Sequence, residues 1–406
     1  MFPDVDADVA ATDATELKAR IDAGEPVAIL DTRETDAYQS WNISAENVQA
    51  VNIPYHQFME GLTPELESEL PNTAPGQSIY VVCGKGISSV YVAELLVAGG
   101  YDATNLDDGM EGWATLYEYG ELRLSSGTLV RQYQRPSSGC LGYMIISEGS
   151  AAVVDPLRAF TDRYVADAAA ADLSIDYVLD THVHADHISG LRELAEESGA
   201  VPVAPAGAIA RGMELPEAGR VVEGGERLVV GGADLAVRHT PGHTSGMTTY
   251  RVDDSVALTG DALFIDSVAR PDLEEGAAGA EEAAAVLYET LQERLLSLPD
   301  DTLIAPAHHS GATAPRADGT YMATVGELTE SLALLGANRE TFVQKVLADM
   351  PPRPANFQEI IETNLGERVT SPAEAFTMEL GPNNCAAGSA ATEEDATEST
   401  ASSGGA

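Results

Sequence analysis

The sequence predicts an α/β chain: an N-terminal domain built on a parallel sheet, followed by an α/β sandwich. Three observations carry this. Up to about residue 125, short apolar runs end abruptly in polar or glycine-rich loops and give way to helical spacings. Beyond about Leu129, hairpin patterns take over, with helical stretches between them. The chain has 406 residues and is 44% hydrophobic, enough to fill two or three separate cores. The expected division is residues 1–122, residues 128–380 and a disordered tail over residues 381–406.

Taken in order, Val27-Ala28-Ile29-Leu30 reads as a buried parallel strand ending in Asp31-Thr32-Arg33. Ile79-Tyr80-Val81-Val82 is a second, ending at Cys83-Gly84-Lys85-Gly86. Val90, Ala93, Leu96 and Val97 then fall at helical spacing, and Gly99-Gly100 stops the helix. Strand, loop and helix repeated in this way imply a parallel sheet covered by helices. In the second part, Met144 to Val154 folds about Glu148-Gly149-Ser150 as a hairpin, and Tyr250 to Leu258 about Asp253-Asp254 as another. Short strands are expected between Val221 and His239, with helices over Arg163–Ala171, Leu191–Ser198 and Glu281–Leu298. Residues 331–365 read as helical, interrupted by Met350-Pro351-Pro352-Arg353-Pro354. From Gly381 the chain is mostly Ala, Ser, Thr, Glu and Gly, a composition that buries too little to order itself.

Charge excludes some functions. There are 65 acids against 22 lysines and arginines, a formal net charge of -43, and the only lysines are Lys18, Lys85 and Lys345. Nucleic acid selects basic stripes, and none is present. The acid is spread along the chain as a solvated surface of the kind that suits a salty cytoplasm. No run reaches the roughly 20 apolar residues of a membrane span, and Met1-Phe2-Pro3-Asp4 does not read as a secretory signal. Three widely spaced cysteines, Cys83, Cys140 and Cys385, make no disulfide framework and suit a reducing cytoplasm.

Cys83 lies between a strand end and a helix start. Unpaired N–H groups converge there and favour the thiolate. Gly84 and Gly86 let the backbone turn tightly, Lys85 adds positive charge, and Ser88 and Ser89 can cap the helix or donate to an anion. This constellation fits a nucleophile that takes up sulfur as a persulfide. With Asp31-Thr32-Arg33-Glu34, Ala50-Val51-Asn52-Ile53-Pro54 and Asp107-Asp108-Gly109-Met110-Glu111-Gly112-Trp113, the segment 12–118 resembles the rhodanese family. The resemblance implies that Cys83 accepts sulfur. It departs at Trp41-Asn42-Ile43, where the family usually has Gly-His-Ile. The loop has no arginine, so the sulfur donor stays open.

Thr181-His182-Val183-His184-Ala185-Asp186-His187 follows an apolar run that should be a strand. Three imidazoles and a carboxylate packed this closely need a metal or a charge partner. Further ligand types follow at Pro241-Gly242-His243-Thr244, Thr259-Gly260-Asp261 and Pro306-Ala307-His308. From about Leu129 to at least His308 the pattern resembles the metallo-β-lactamase superfamily, which implies an αββα sandwich with metal at one edge. Two chemistries fit. Two zinc ions would use His182, His184, His243 and Asp261 on one side and Asp186, His187 and His308 on the other, activating water against an ester or thioester. One iron(II) would use His182, His243 and Asp261 alone, a facial triad with positions left for substrate and O₂.

Three features tilt the reading to iron. Ser267-Val268-Ala269-Arg270-Pro271-Asp272-Leu273 resembles the Arg-x-Asp segment of persulfide dioxygenases, and residues 324–364 resemble their C-terminal extension. A sulfur-handling domain on the same chain is the third. The resemblance implies oxidation of a low-molecular-weight thiol persulfide by O₂ to sulfite and thiol. His184, Asp186, His187 and His308 would then support the ligands. Arg270 either binds a substrate carboxylate or makes a structural ion pair. Cys83 would pass sulfur to a thiol or to sulfite, giving thiosulfate. The alternatives are a glyoxalase II-type hydrolase with an accessory rhodanese domain, and a sulfur carrier with a vestigial metal domain. The thiol partner and the oligomeric state, homodimer included, stay open. Cys140 is expected to be a buried small apolar residue, and Cys385 a spare thiol, with a resolving role for Cys83 as its alternative.

Overall fold

The computed structural model describes residue 5 and residues 7–310 and 313–387. The chain divides into two compact units. Of the described residues, the first unit takes those up to Glu118 with Arg135–Ser138 and Leu380–Pro382; the second takes Tyr119–Gln134, those between Gly139 and Glu379, and Asn383 to Ala387. The division falls at Glu118 and not at the expected 122, because Glu118–Arg123 adds an edge strand to the second unit's sheet.

The first unit contains β1 (Ala10–Thr12), α1 (Ala14–Asp22), β2 (Val27–Asp31), α2 (Thr35–Ser40), β3 (Val48–Asn52), α3 (Pro64–Glu69), β4 (Ile79–Val82), α4 (Ser88–Ala98), β5 (Ala103–Leu106) and α5 (Gly109–Trp113). Its sheet is parallel, in the order β1-β5-β4-β2-β3. Period-2 alternation divides the strands between two cores. Leu30, Ile79 and Val81 pack with Phe58, Val92 and Leu96 on one face. Ile29 and Val82 pack with Leu17, Leu106 and Trp113 on the other. Both faces being covered, β2 is buried at all five residues.

The second unit begins with β6 (Glu118–Arg123), β7 (Leu129–Arg135), β8 (Cys140–Ser147), β9 (Ser150–Val154), α6 (Thr161–Ala170), β10 (Ser174–Leu179), α7 (Leu191–Ser198), β11 (Val201–Pro205), α8 (Ala206–Ala210) and β12 (Arg220–Val222). These strands form a seven-stranded sheet ordered β12-β11-β10-β9-β8-β7-β6. There follow β13 (Arg227–Val230), β14 (Ala233–His239), β15 (Thr248–Val252), β16 (Val256–Gly260), β17 (Val268–Ala269), α9 (Gly276–Thr290), β18 (Leu303–Pro306) and β19 (Ala323–Thr324). Of these, all but β17 and α9 make a six-stranded sheet ordered β13-β14-β15-β16-β18-β19. Tyr143, Ile145, Val154, Leu179 and Val203 of the first sheet pack on Leu235, Val237, Tyr250 and Leu258 of the second, forming the inner core. A second apolar cluster joins Ile304 and Phe264 to Leu287, Leu291 and Phe342, which brings α9 and the C-terminal helices against that sheet. The expected sandwich, with both hairpins, is therefore present.

The C-terminal extension comprises α10 (Val325–Ser331), α11 (Arg339–Ala348), α12 (Phe357–Leu365) and α13 (Pro372–Met378). Capping boxes start α10 at Thr324/Glu327 and α13 at Ser371/Glu374. The expected disorder from Gly381 is corrected over the described residues. Here β20 (Ala386–Ala387) pairs antiparallel with β17, and Cys385 is fully buried. Composition alone does not register that backbone pairing. Residues 388–406 of the expected tail lie outside the described residues. Among the described residues, no helix is long and apolar enough to cross a membrane.

Candidate functional site

The carboxyl ends of β10, β14, β16 and β18 lead into the loops that carry the predicted ligands. β10 ends at Leu179, and Asp180 to Ser189 follows as a buried loop. Asp155, just past β9, sits in the left-handed region with φ 50. From there its carboxylate accepts from the Thr181 N–H at 2.7 Å and the Thr181 hydroxyl at 2.9 Å. Gly260 ends β16 with φ 53, and a Cβ there would lie 2.5 Å from the Thr181 hydroxyl, so only glycine lets the two loops meet.

Hydrogen bonds fix the tautomers of two histidines. The Thr181 hydroxyl spends its proton on Asp155 and can only accept from His182 Nδ1, 2.9 Å away. His243 Nδ1 donates to the Arg270 carbonyl at 2.8 Å. Each ring is left with its Nε2 lone pair facing Asp261, at 3.6 Å for His182 and 3.5 Å for His243. His182 Nε2, His243 Nε2 and Asp261 Oδ2 are all buried without a hydrogen-bond partner. Three orphaned donor atoms of this kind fit one cation, whose ligands at about 2.1 Å would lie about 3–3.4 Å apart. Burial pushes His182 down to about 4 and also lowers His243, so both stay neutral and able to ligate. Burial works against charge on Asp261, but His308 and His182 outweigh it and hold the carboxyl well below its usual range.

His184 lies against His182, ring centroids 4.2 Å apart, with its Nδ1 buried and without a hydrogen-bond partner. Its Nε2 meets Asp155 Oδ1 at 3.2 Å, and it groups with Asp155 and Asp180. Burial pushes Asp180 up to about 6. A further cluster stands beside the triad: Cys140, Asp186, His187 and His308. Asp186 Oδ2 receives Cys140 Sγ at 3.1 Å, His187 Nδ1 at 3.0 Å and His308 Nε2 at 2.7 Å. His308 Nδ1 reaches Asp261 Oδ1 at 2.7 Å, so both its nitrogens are committed to carboxylates. Burial opposes a charged His308, yet Asp261 and Asp186 push its pKa well above the ordinary value.

Chain residues 137–308 match the family model described as the metallo-beta-lactamase superfamily, and residues 13–116 that of the rhodanese-like domain. The chain is 31% identical over 251 residues to persulfide dioxygenase ETHE1, mitochondrial, of Homo sapiens; the match covers 60% of this chain and 90% of that protein. The chain belongs to the metallo-beta-lactamase superfamily. In front of its metallo-beta-lactamase domain it carries a rhodanese-like domain. A hydroxyacylglutathione hydrolase of Rhodospirillum rubrum is 34% identical over 185 residues, covering 45% of this chain and 65% of that one. Among solved structures, a metallo-beta-lactamase from Staphylococcus aureus superposes with TM-score 0.55 at 26% identity, covering 60% of this chain and 75% of that one.

In this metallo-beta-lactamase domain, Arg270 makes the ion pair that is one of its two expected roles. It is buried, bonds Asp272 through Nε at 2.7 Å and Nη2 at 3.2 Å, and donates from Nη1 to the carbonyls of Pro352 and Asn384, each at 2.9 Å. Its own N–H donates to the Cys385 carbonyl at 3.0 Å, and its carbonyl holds His243. Cys385, expected to be a spare thiol, is instead buried beside Asp261 and His308. Burial, then Asp186 and Asp261, push that thiol well up. Cys140, expected to be apolar packing, is likewise a polar partner of Asp186. His239 and His309 join no ligand cluster: His239 bonds the Ser245 carbonyl, and His309 stacks on Tyr321 at 3.7 Å.

Sequence reasoning also missed Asn364 and Glu379. Asn364 donates to the His184 and His187 carbonyls, each at 2.9 Å, and accepts from Ser189 N–H at 2.9 Å. Glu379 accepts from Ile188 N–H at 2.8 Å. Nothing local marks either residue. Asp155 did carry a signal, an acid ending the apolar run Ala151-Ala152-Val153-Val154.

In the rhodanese-like domain, Cys83 is 3% exposed at the end of β4. Its carbonyl accepts from Met110 N–H at 2.8 Å, and the Gly84 carbonyl from Glu111 N–H at 3.0 Å, which ties the loop to α5. A Cβ on Gly109 would come within 2.1 Å of the Cys83 oxygen, so that approach requires glycine. Ser89 donates to Cys83 Sγ at 3.2 Å. Burial raises the thiol pKa, but the Ser88 and Ser89 hydroxyls and the N–H groups of Ser89 and Lys85 bring it below the ordinary value. Lys85 is largely exposed and pairs with Glu111 at 3.1 Å. Gly86 turns through φ 72 against Asp108.

Proposed function

We propose that the chain is an iron(II)-dependent persulfide dioxygenase whose rhodanese-like domain transfers sulfane sulfur through Cys83. The observation that carries this reading is the orphaned triad of His182, His243 and Asp261, whose unpartnered atoms lie close to one another while His184 Nε2 is held by Asp155. The likeness to persulfide dioxygenase ETHE1 supports it. The reaction balances as RSSH + O₂ + H₂O giving RSH and sulfurous acid, which ionises to sulfite.

Iron(II) held by the triad would supply the one-electron chemistry that O₂ needs to react with a closed-shell sulfur. The chain's own residues do the rest. Thr181 and the Arg270 carbonyl hold the two imidazoles in the neutral tautomer that leaves Nε2 free. His308, at 2.7 Å from both Asp261 and Asp186, can hold a proton next to the carboxylate ligand. Cys385 and Phe264 are buried near the triad and exclude water from that side. In the first domain, the lowered Cys83 thiol attacks the outer sulfur of a donor, takes it up as a persulfide and releases the donor's remainder. Three free thiols suit a reducing compartment such as the cytoplasm.

A second reading, a two-zinc thioester hydrolase, draws on the cluster of Asp186, His187 and His308, in which Asp186 Oδ1 and His187 Nε2 are also unpartnered. The likeness to hydroxyacylglutathione hydrolase points the same way. Metal analysis together with O₂ uptake on glutathione persulfide separates the two. About one iron per chain with O₂ uptake that Asp261→Ala abolishes is expected. Two zinc ions with thioester hydrolysis and no O₂ uptake would replace this reading with the second.

A further inference from the structure

The six-stranded sheet carries a concentration of positive charge that the metal centre does not use. Only 22 of 406 residues are lysine or arginine, yet Arg227, Arg238, Arg251 and Arg294 line one cleft of about 490 Å³. Strand register puts three of them together. Arg227 of β13 stands opposite Ala236 of β14, and Ala236 opposite Arg251 of β15. The two arginines thus flank a floor no larger than a methyl group. Arg238 lies two residues beyond Ala236 and so on the same face. Arg294 comes from the turn after α9, donates to the His239 carbonyl, and accepts from Arg238 Nη1 at its own carbonyl at 3.0 Å.

Acids offset only part of this charge. Arg227 pairs with Asp234, and Arg251 with the well-exposed Asp254 at 2.9 Å. Glu226, also in the lining, is engaged by Arg220 at 3.0 Å and the Glu223 N–H at 2.9 Å. Arg238 and Arg294 bond only carbonyl oxygens and have no carboxylate partner among the described residues. Arg251 Nε is buried without a hydrogen-bond partner. In a chain with three acids for each cation, guanidinium groups gathered in one cleft make a local positive field that an anion can use. A guanidinium presents a planar fork that matches phosphate oxygens, and several forks in one place select a ligand with more than one anionic group. Gly224 and Gly225 add lining without side-chain bulk.

We propose that this cleft is a binding site for a small polyanion carrying two or more phosphate groups, of the nucleoside diphosphate or pyrophosphate class. It lies on residues separate from the metal triad, and it stands whether the centre oxidises persulfides or hydrolyses thioesters.

The test is calorimetric titration of the full chain with inorganic pyrophosphate, and separately with adenosine diphosphate. The chain carries Asp261→Ala so that the metal triad cannot hold the phosphate. One saturable site is expected, weakening as salt is raised. Arg238→Gln with Arg294→Gln should weaken it at least tenfold. Arg316→Gln with Arg339→Gln, at exposed ion pairs elsewhere, should leave it unchanged. Tighter binding of adenosine diphosphate than of pyrophosphate would identify a nucleotide, and equal binding a phosphate site alone. Absence of saturable binding, or binding that the double variant retains, would overturn the proposal. So would a concentration-dependent dimer that the double variant abolishes, since an acidic face of a second copy would then be the occupant.

Discussion

Thr181→Val isolates the hydrogen bond that prepares His182 for a metal. Valine matches threonine in shape, so the change removes the hydroxyl and little else. Two contacts go: the 2.9 Å bond that fixes His182 Nδ1 and the 2.9 Å bond to Asp155 Oδ2. Loss of a partner that orients a ligand weakens metal affinity about 10- to 100-fold, or about 1.4–2.7 kcal/mol. The metal-free chain should also lose stability, because a buried imidazole N–H and a buried carboxylate oxygen each lose a partner at about 1–3 kcal/mol apiece. A loss of about 2–6 kcal/mol is severe against a typical 5–15 kcal/mol. Chelator competition reads the first effect and urea unfolding of the metal-free chain the second. Thr181→Ser, which keeps the hydroxyl, should behave like the parent in both. If the valine variant holds metal as tightly as the parent, the Asp155–Thr181–His182 relay does not prepare the site.

Three further outcomes follow from the same geometry. Alkylation of Cys83 by iodoacetamide should have its midpoint below that of a free thiol, and Ser89→Ala should shift that midpoint upward; a midpoint at the free-thiol value would contradict the lowered pKa. Asn364→Leu strips three partners from the ligand loop at about 1 kcal/mol or more each, so metal retention and urea midpoint should fall together, whereas a change in neither would remove Asn364 from the site's support. His308 has a folded pKa raised above its unfolded value of about 6.5. Its contribution to the metal-free chain is therefore complete below about 6.5 and fades as pH rises through the folded value. Asp186 and Asp261 are depressed, so their contributions are lost only as pH falls below about 4. Melting temperature should decline on the alkaline side in the parent and much less in His308→Gln; equal declines would show that His308 is not the titrating group.

What the sequence revealed and what it hid divide along contact range. The two cores and both hairpins were legible because apolar period and turn chemistry are local, as at Glu148-Gly149 and Asp253-Asp254. The triad was legible because histidine is scarce: eight in the chain, five of them in the three motifs. The hold on His184 was not legible, since it depends on Asp155, 29 residues away, meeting the imidazole at Nε2. Cys140 was hidden for the same reason, its partner Asp186 lying 46 residues further on. The C-terminal segment went furthest astray. Its small residues and acids argue for disorder, but two of those small residues complete a ladder with Val268 and Ala269. That ladder lays the Cys385 carbonyl on Arg270 N–H, while the Arg270 side chain grips the Asn384 and Pro352 carbonyls. Arg270 in turn presents its own carbonyl to His243. A ligand read from a Pro-Gly-His-Thr motif is thus steadied by a strand more than 100 residues later. Small size, which suggested a tail with nothing to bury, is what allows that strand to lie flat against β17 and bring Cys385 beside Asp261.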